Sequence, residues 1–92
     1  MNNNRSNVMD LTTSVKIVAD YAQAKNITAL EALVELDHLA SEDWINTSPG
    51  APKGYQRKTT LAQDEAITVF CQNRYPWRTE ALKQGVDISN FS

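Results

Sequence analysis

One cysteine, one histidine, three glycines and three prolines in 92 residues leave little room for several kinds of structure and chemistry. With Cys71 alone, no intrachain disulfide can form and no cysteine cluster is available for zinc. A reducing compartment, the cytoplasm, is the expected setting. With His38 alone, a histidine-rich metal site would have to be shared between two copies of the chain. No apolar run approaches the roughly 18 residues that a membrane-spanning helix requires. The polar stretch Met1–Asn7 has no apolar centre, so it reads as neither signal peptide nor anchor; residues 1–9 are expected to be a flexible start. No run of alternating β-branched residues points to a strand. No internal repeat, glycine-rich phosphate loop or serine-centred elbow is present.

The rest of the composition is ordinary. The chain is 41% hydrophobic and 22% charged, with a net charge of −2, which is typical of a soluble globular protein. Its length suits one domain, expected over residues 10–92, burying roughly 60–65% of the surface that the unfolded chain exposes. The charge is unevenly spread. Residues 1–50 carry three basic and seven acidic side chains, net −4, whereas residues 51–92 carry six and four, net +2. Either the halves attract each other within the fold, or the basic half faces an acidic partner.

Helical periodicity organises both halves. Leu11, Val15, Val18 and Ala22 fall on one stripe of a helix from Leu11 to Lys25, with Asp10 or Thr12 to start it and Asn26 to stop it. Thr28-Ala29-Leu30-Glu31 forms a capping box for a second helix running to Asp43 or Trp44. Apolar residues from Ile27 to Trp44 cover well over half of its circumference. The polar remainder is an arc of Glu31, Glu35, His38 and Glu42. A helix with so wide an apolar face is either central to the fold or has one side in a subunit interface, and a homodimer is expected. Asp37 lies inside the apolar face, where an unpaired carboxylate is costly, so it should find a basic partner or mark a cleft. Thr60-Leu61-Ala62-Gln63 is a second, weaker capping box, opening a helix to about Arg74. Pro76 suits the first position of a last short helix, ending at Gly85 with Val86 packing back. Ile88 and Phe91 are possible anchors for the tail. The expected fold is all-α: a compact bundle of four short helices with one long Gly/Pro-containing loop between the second and third.

That loop holds Pro49, Gly50, Pro52 and Gly54, then runs into Lys53, Tyr55, Arg57 and Lys58. A second basic, aromatic cluster, Arg74, Tyr75, Trp77 and Arg78, brackets the last turn between helices. Arginine beside aromatic rings suits either a protein-binding hot spot or the gripping of phosphate while bases stack. A helix-turn-helix is poorly supported: the second helix is acidic, and the Asn73-Arg74-Tyr75-Pro76 turn lacks the frequent glycine. Glu35 and His38 have the Glu-x-x-His spacing of di-iron bundles, but the remaining ligands are missing, and a solvated Glu–His pair is the simpler reading. Cys71 and His38 could be imagined as nucleophile and base, but a mid-helix thiol beside an apolar face usually just packs. No cofactor is expected.

The function expected from the sequence is therefore binding rather than catalysis. The lead reading is a small regulatory or adaptor protein, of the phage or plasmid accessory kind. It would bind a protein partner through Lys53, Tyr55, Arg57, Lys58, Arg74, Tyr75, Trp77 and Arg78, with Glu31, Glu35, His38 and Glu42 as a second, acidic surface. The alternative is a nucleic-acid-binding transcriptional regulator that uses the same basic side chains.

Overall fold

Local capping chemistry sets most of the helix ends. In a computed structural model that describes residues 9–88, α1 spans Leu11–Lys25, α2 Ala29–Asn46, α3 Leu61–Gln72 and α4 Arg74–Lys83. Among the described residues there is no strand, so the fold is all-α. The expected flexible start and the Phe91 anchor lie outside the described residues.

The Asp10 carboxylate accepts from the Thr13 N–H and starts α1. Both capping boxes form: the Thr28 and Thr60 hydroxyls accept from Glu31 N–H and Gln63 N–H, and the Glu31 and Gln63 side chains accept from the two threonine N–H groups. Each box satisfies two amides that would otherwise lack partners at a helix start. α1 stops at Asn26, which takes a left-handed conformation (φ 59°) and lets Ile27 N–H reach back to the Ala22 carbonyl. α4 stops in the same way at Gly85 (φ 79°), with Val86 N–H bonded to the Ala81 carbonyl. This is the Schellman arrangement, which caps the last carbonyls.

Three boundaries differ from expectation. α2 runs on to Asn46 rather than stopping at Asp43 or Trp44. α3 ends at Gln72 rather than about Arg74, and α4 begins at Arg74 rather than Pro76. Pro76 therefore occupies the third helical position. It fits there because the amides of a helix's first turn have no intrahelical acceptor, so the missing N–H costs nothing.

The helices enclose one apolar cluster that includes Val15, Val18, Leu33, Leu36, Ile67, Val69, Trp77 and Ile88, with alanines at closely packed positions on every helix. α1 packs against α2, α3 and α4, whereas α2 and α4 do not meet. The wide apolar face of α2 had suggested either a central helix or an interface helix, and the central place belongs to α1. α2 buries only Ala29, Ala32, Leu33, Leu36, Ala40 and Asp43. Val34 and Trp44, which the same periodicity grouped with the core, are 64% and 41% exposed. No helix among the described residues is long and apolar enough to cross a membrane.

Trp77 sits at the centre of the packing. It is fully buried and meets Phe70 edge to face, with ring centroids 5.1 Å apart. Its indole N–H donates to Ser14 Oγ at 2.8 Å, and the Ser14 hydroxyl donates to the Ala66 carbonyl at 2.8 Å. This short polar chain crosses from α4 through α1 to α3 and leaves none of its three groups unpaired.

Candidate functional surfaces

The residues singled out from the sequence fall into three places, and it is in the third that a stripe of side chains faces outward. The first place is a clasp around Asp43. This carboxylate lies on the core face of α2, one turn beyond Ala40, and is fully buried. Oδ1 accepts from the Tyr55 hydroxyl at 2.7 Å and from Lys58 N–H at 2.9 Å. Oδ2 accepts from Thr59 N–H at 3.0 Å and from the Thr59 hydroxyl at 2.6 Å. Arg57 Nη2 stands 3.8 Å from Oδ2 and donates to Asp64 at 2.9 Å. The Lys58 ammonium reaches Glu42 at 2.8 Å. Burial pushes the Asp43 carboxyl up, but the hydrogen bonds from Thr59, Lys58 and Tyr55 outweigh it and hold the group well below the usual carboxylate range. The Tyr55 hydroxyl, donating to that carboxylate and partly desolvated, is pushed up to about 12.

The Gly/Pro tract is thus tied down at its far end. Gly50 and Gly54 take positive φ values of 89° and 92°, a region that glycine enters without steric penalty. They turn the chain so that Tyr55, Lys58 and Thr59 converge on Asp43. At the near end, the Asn46, Thr47 and Ser48 side chains donate to the carbonyls of Glu42, Asp43 and Ile45 and close the C-terminus of α2. Of the four residues expected to present this tract to a partner, Tyr55, Arg57 and Lys58 serve the clasp, and Lys53 is exposed.

Asp43, rather than Asp37, is the buried acid. Asp37 is exposed, and the Cys71 thiol contacts its Oδ1 at 4.0 Å. The sequence signal for Asp43 was its spacing from Leu36 and Ala40, seven and three residues on, which continues the core stripe.

The second place is the acidic arc. Glu31 caps its own helix. Glu35 Oε2 accepts from the Tyr21 hydroxyl at 2.5 Å and pairs with Lys25 at 3.3 Å. His38 Nε2 lies 3.1 Å from Glu42. The Glu35 carboxyl is lowered first by the Tyr21 hydrogen bond and then by Lys25, and that of Glu42 chiefly by Lys58. The Glu-x-x-His pair is therefore divided between different partners. Among the described residues no three His, Cys, Asp or Glu side chains group as metal ligands. Cys71 is exposed rather than packed in the core; partial desolvation of the thiol and the nearby Asp37 raise its pKa, against the opposing Arg74. A shallow groove of about 270 Å³ between the end of α1, the start of α2 and Val86–Asp87 is smaller than most ligand pockets.

The third place is α4. Trp77 belongs to the core, which removes it from any outward-facing surface, and Arg74 lies 5.4 Å above the Phe70 ring. Tyr75 (82% exposed), Arg78 and Leu82 (53% exposed) share the opposite stripe, at the i, i+3, i+7 spacing that keeps side chains on one helix face. The two basic clusters lie at opposite ends of α3, about 18 Å apart along its 12 residues at 1.5 Å per residue. Comparison with protein-family models, with curated proteins and with solved structures found no match.

Proposed function

We propose that this is a small non-enzymatic regulatory or adaptor protein of the cytoplasm, and that it binds an acidic protein partner through the outward stripe of α4. The observation that carries this reading is the exposure of Tyr75 and Leu82 with Arg78 between them. A tyrosine ring and an arginine guanidinium on one rigid helix face are the residue types in which binding energy concentrates, and Leu82 extends the apolar contact beside them. Charge gives the partner its sign. Arg74, Arg78 and Lys83 lie on α4, whereas its single acid, Glu80, turns back to accept from Thr12 and Gln84. The lone Cys71 supports the cytoplasmic setting.

The test is affinity capture followed by exchange of single side chains. Tyr75→Ala and Arg78→Glu are expected to lose a partner that the wild-type protein and Lys53→Ala both retain, with unchanged helical circular dichroism in every case. Capture that survives both α4 substitutions removes this stripe from the role. Oligonucleotide binding at low salt that falls steeply as salt rises would instead favour the nucleic-acid reading.

A further inference from the structure

At 100° per residue, α2 divides into three lengthwise sectors. One, including Leu33, Leu36, Ala40 and Asp43, is buried on α1 and α3. The second is the acidic arc. The third holds Leu30, Val34, Asp37, Ser41, Trp44 and Ile45, of which Val34, Trp44 and Ile45 are the exposed large apolar side chains.

The order of residues along this outer sector has a symmetry of its own. Leu30 and Val34 make one end apolar, Trp44 and Ile45 make the other end apolar, and Asp37 and Ser41 lie between. Val34 and Ile45 are 11 residues apart, about 16 Å along the helix. A two-fold axis crossing the helix midway between them would set each apolar end on the opposite apolar end of an identical helix. It would also bring Asp37 against Ser41 twice, a hydroxyl donating to a carboxylate each time. A surface that matches itself in this way is what a closed two-fold dimer requires.

Charge also favours a second copy over a basic partner. α2 carries Glu31, Glu35, Asp37, Glu42 and Asp43 and no lysine or arginine, so bare copies would repel. Its own chain has already supplied donors: the Thr28 N–H to Glu31, Tyr21 and Lys25 to Glu35, Lys58 to Glu42, and the clasp to Asp43. A cationic partner would find those acceptors engaged; Asp37, the acid of the outer sector, is contacted by the Cys71 thiol at 4.0 Å and would take its donor from Ser41 of the copy.

We propose that the outer sector of α2 is covered by a second copy of this chain, the two α2 helices running antiparallel about that axis. The exposed apolar side chains supply only part of the roughly 800 Å² per partner of a standard interface, so the dimer is expected to dissociate on dilution.

Sedimentation equilibrium across the micromolar range tests the assembly. The wild-type protein should approach twice the 10.3 kDa chain mass. Val34→Glu and Ile45→Lys, both at exposed positions, should fall to one chain with unchanged circular dichroism. A wild-type mass of one chain throughout, or variants that still dimerise, would overturn the proposal. Orientation is tested in a Cys71→Ser background under oxidising conditions. Val34→Cys mixed with Ile45→Cys should form a disulfide between unlike chains, and neither should link to itself. Self-linking of Val34→Cys would overturn the antiparallel arrangement. Tyr75→Ala should leave the mass unchanged, so failure of this dimer and failure of the α4 reading can be told apart.

Discussion

Residues 53–58 and residues 74–78 have nearly the same chemistry, basic side chains around aromatic rings, yet the fold uses them in opposite ways. In the first segment the Tyr55 hydroxyl and the Lys58 amide, joined by the amide and hydroxyl of the adjoining Thr59, converge on one buried carboxylate. In the second, one aromatic residue is core and the other is almost fully exposed. The difference comes from the surroundings. The first segment follows a helix that places an acid on its core face, and a buried carboxylate must collect donors from whatever chain lies nearest. The second faces Ser14, a buried hydroxyl of α1, and Ser14 takes the Trp77 indole N–H. Tyr75, two residues earlier, turns away from it.

Substitutions can break this comparison at either segment. The largest effect is expected from Trp77→Ala, which leaves a large cavity and strips Ser14 of its donor. A loss of about 3–5 kcal/mol should leave so small a domain largely unfolded, as thermal or urea melts would show. Asp43→Asn comes next. It removes the charge that draws the clasp together and replaces one of the two acceptor oxygens with an amide NH₂ that faces donors. Melting should fall by roughly 10 °C or more, and trypsin should cleave after Lys53, Arg57 or Lys58 faster than in the wild-type protein.

A smaller effect belongs to Tyr55, and its sign follows from the shift. Its hydroxyl is raised from 10.0 to about 12 in the folded protein, so the stabilisation is complete below pH 10 and is lost as pH climbs toward 12. Tyr55→Phe should flatten that alkaline loss in a series of urea melts. Asp43 acts at the other end of the scale. Its folded value lies below the ordinary 3.8, so its contribution is present above that value and declines as pH falls beneath it. The smallest stability effect is expected at Tyr75 and Arg78, where alanine should change unfolding free energy by less than about 0.5 kcal/mol. A large loss there would show that the outward stripe supports the fold.

The parts of the fold legible in the sequence are those that local chemistry decides. Asp10, Thr28, Thr60, Asn26 and Gly85 cap their helices through bonds to residues three to five positions away, so the signal and its effect share a short window. What tertiary packing decides was harder to read. Periodicity could show that α2 is apolar over a wide arc, and Asp43 continues the stripe of Leu36 and Ala40 just as Asp37 continues that of Leu30 and Val34; which of the two stripes is buried depends on where α1 and α3 pack. It also grouped Trp77 with the arginines beside it, since nothing within a few residues reveals that Ser14 lies across from its indole. At the candidate surfaces, Tyr75 and Arg78 remained outward-facing, while Tyr55, Arg57 and Lys58 were claimed by acids 7 to 16 residues distant.

The bond from Trp77 to Ser14 to Ala66 has a consequence for how freely the helices could slip. Alanine-lined contacts such as Ala22, Ala29, Ala32, Ala66 and Ala81 are smooth, and smooth helices can slide or roll past one another at little cost. The Ser14 hydroxyl has one hydrogen to give, and here it goes to α3 while a lone pair receives α4. Any slip of either helix strands a polar group in an apolar interior. A single oxygen atom therefore works as a locating pin, fixing the rotation of α3 and α4 relative to each other although it belongs to neither.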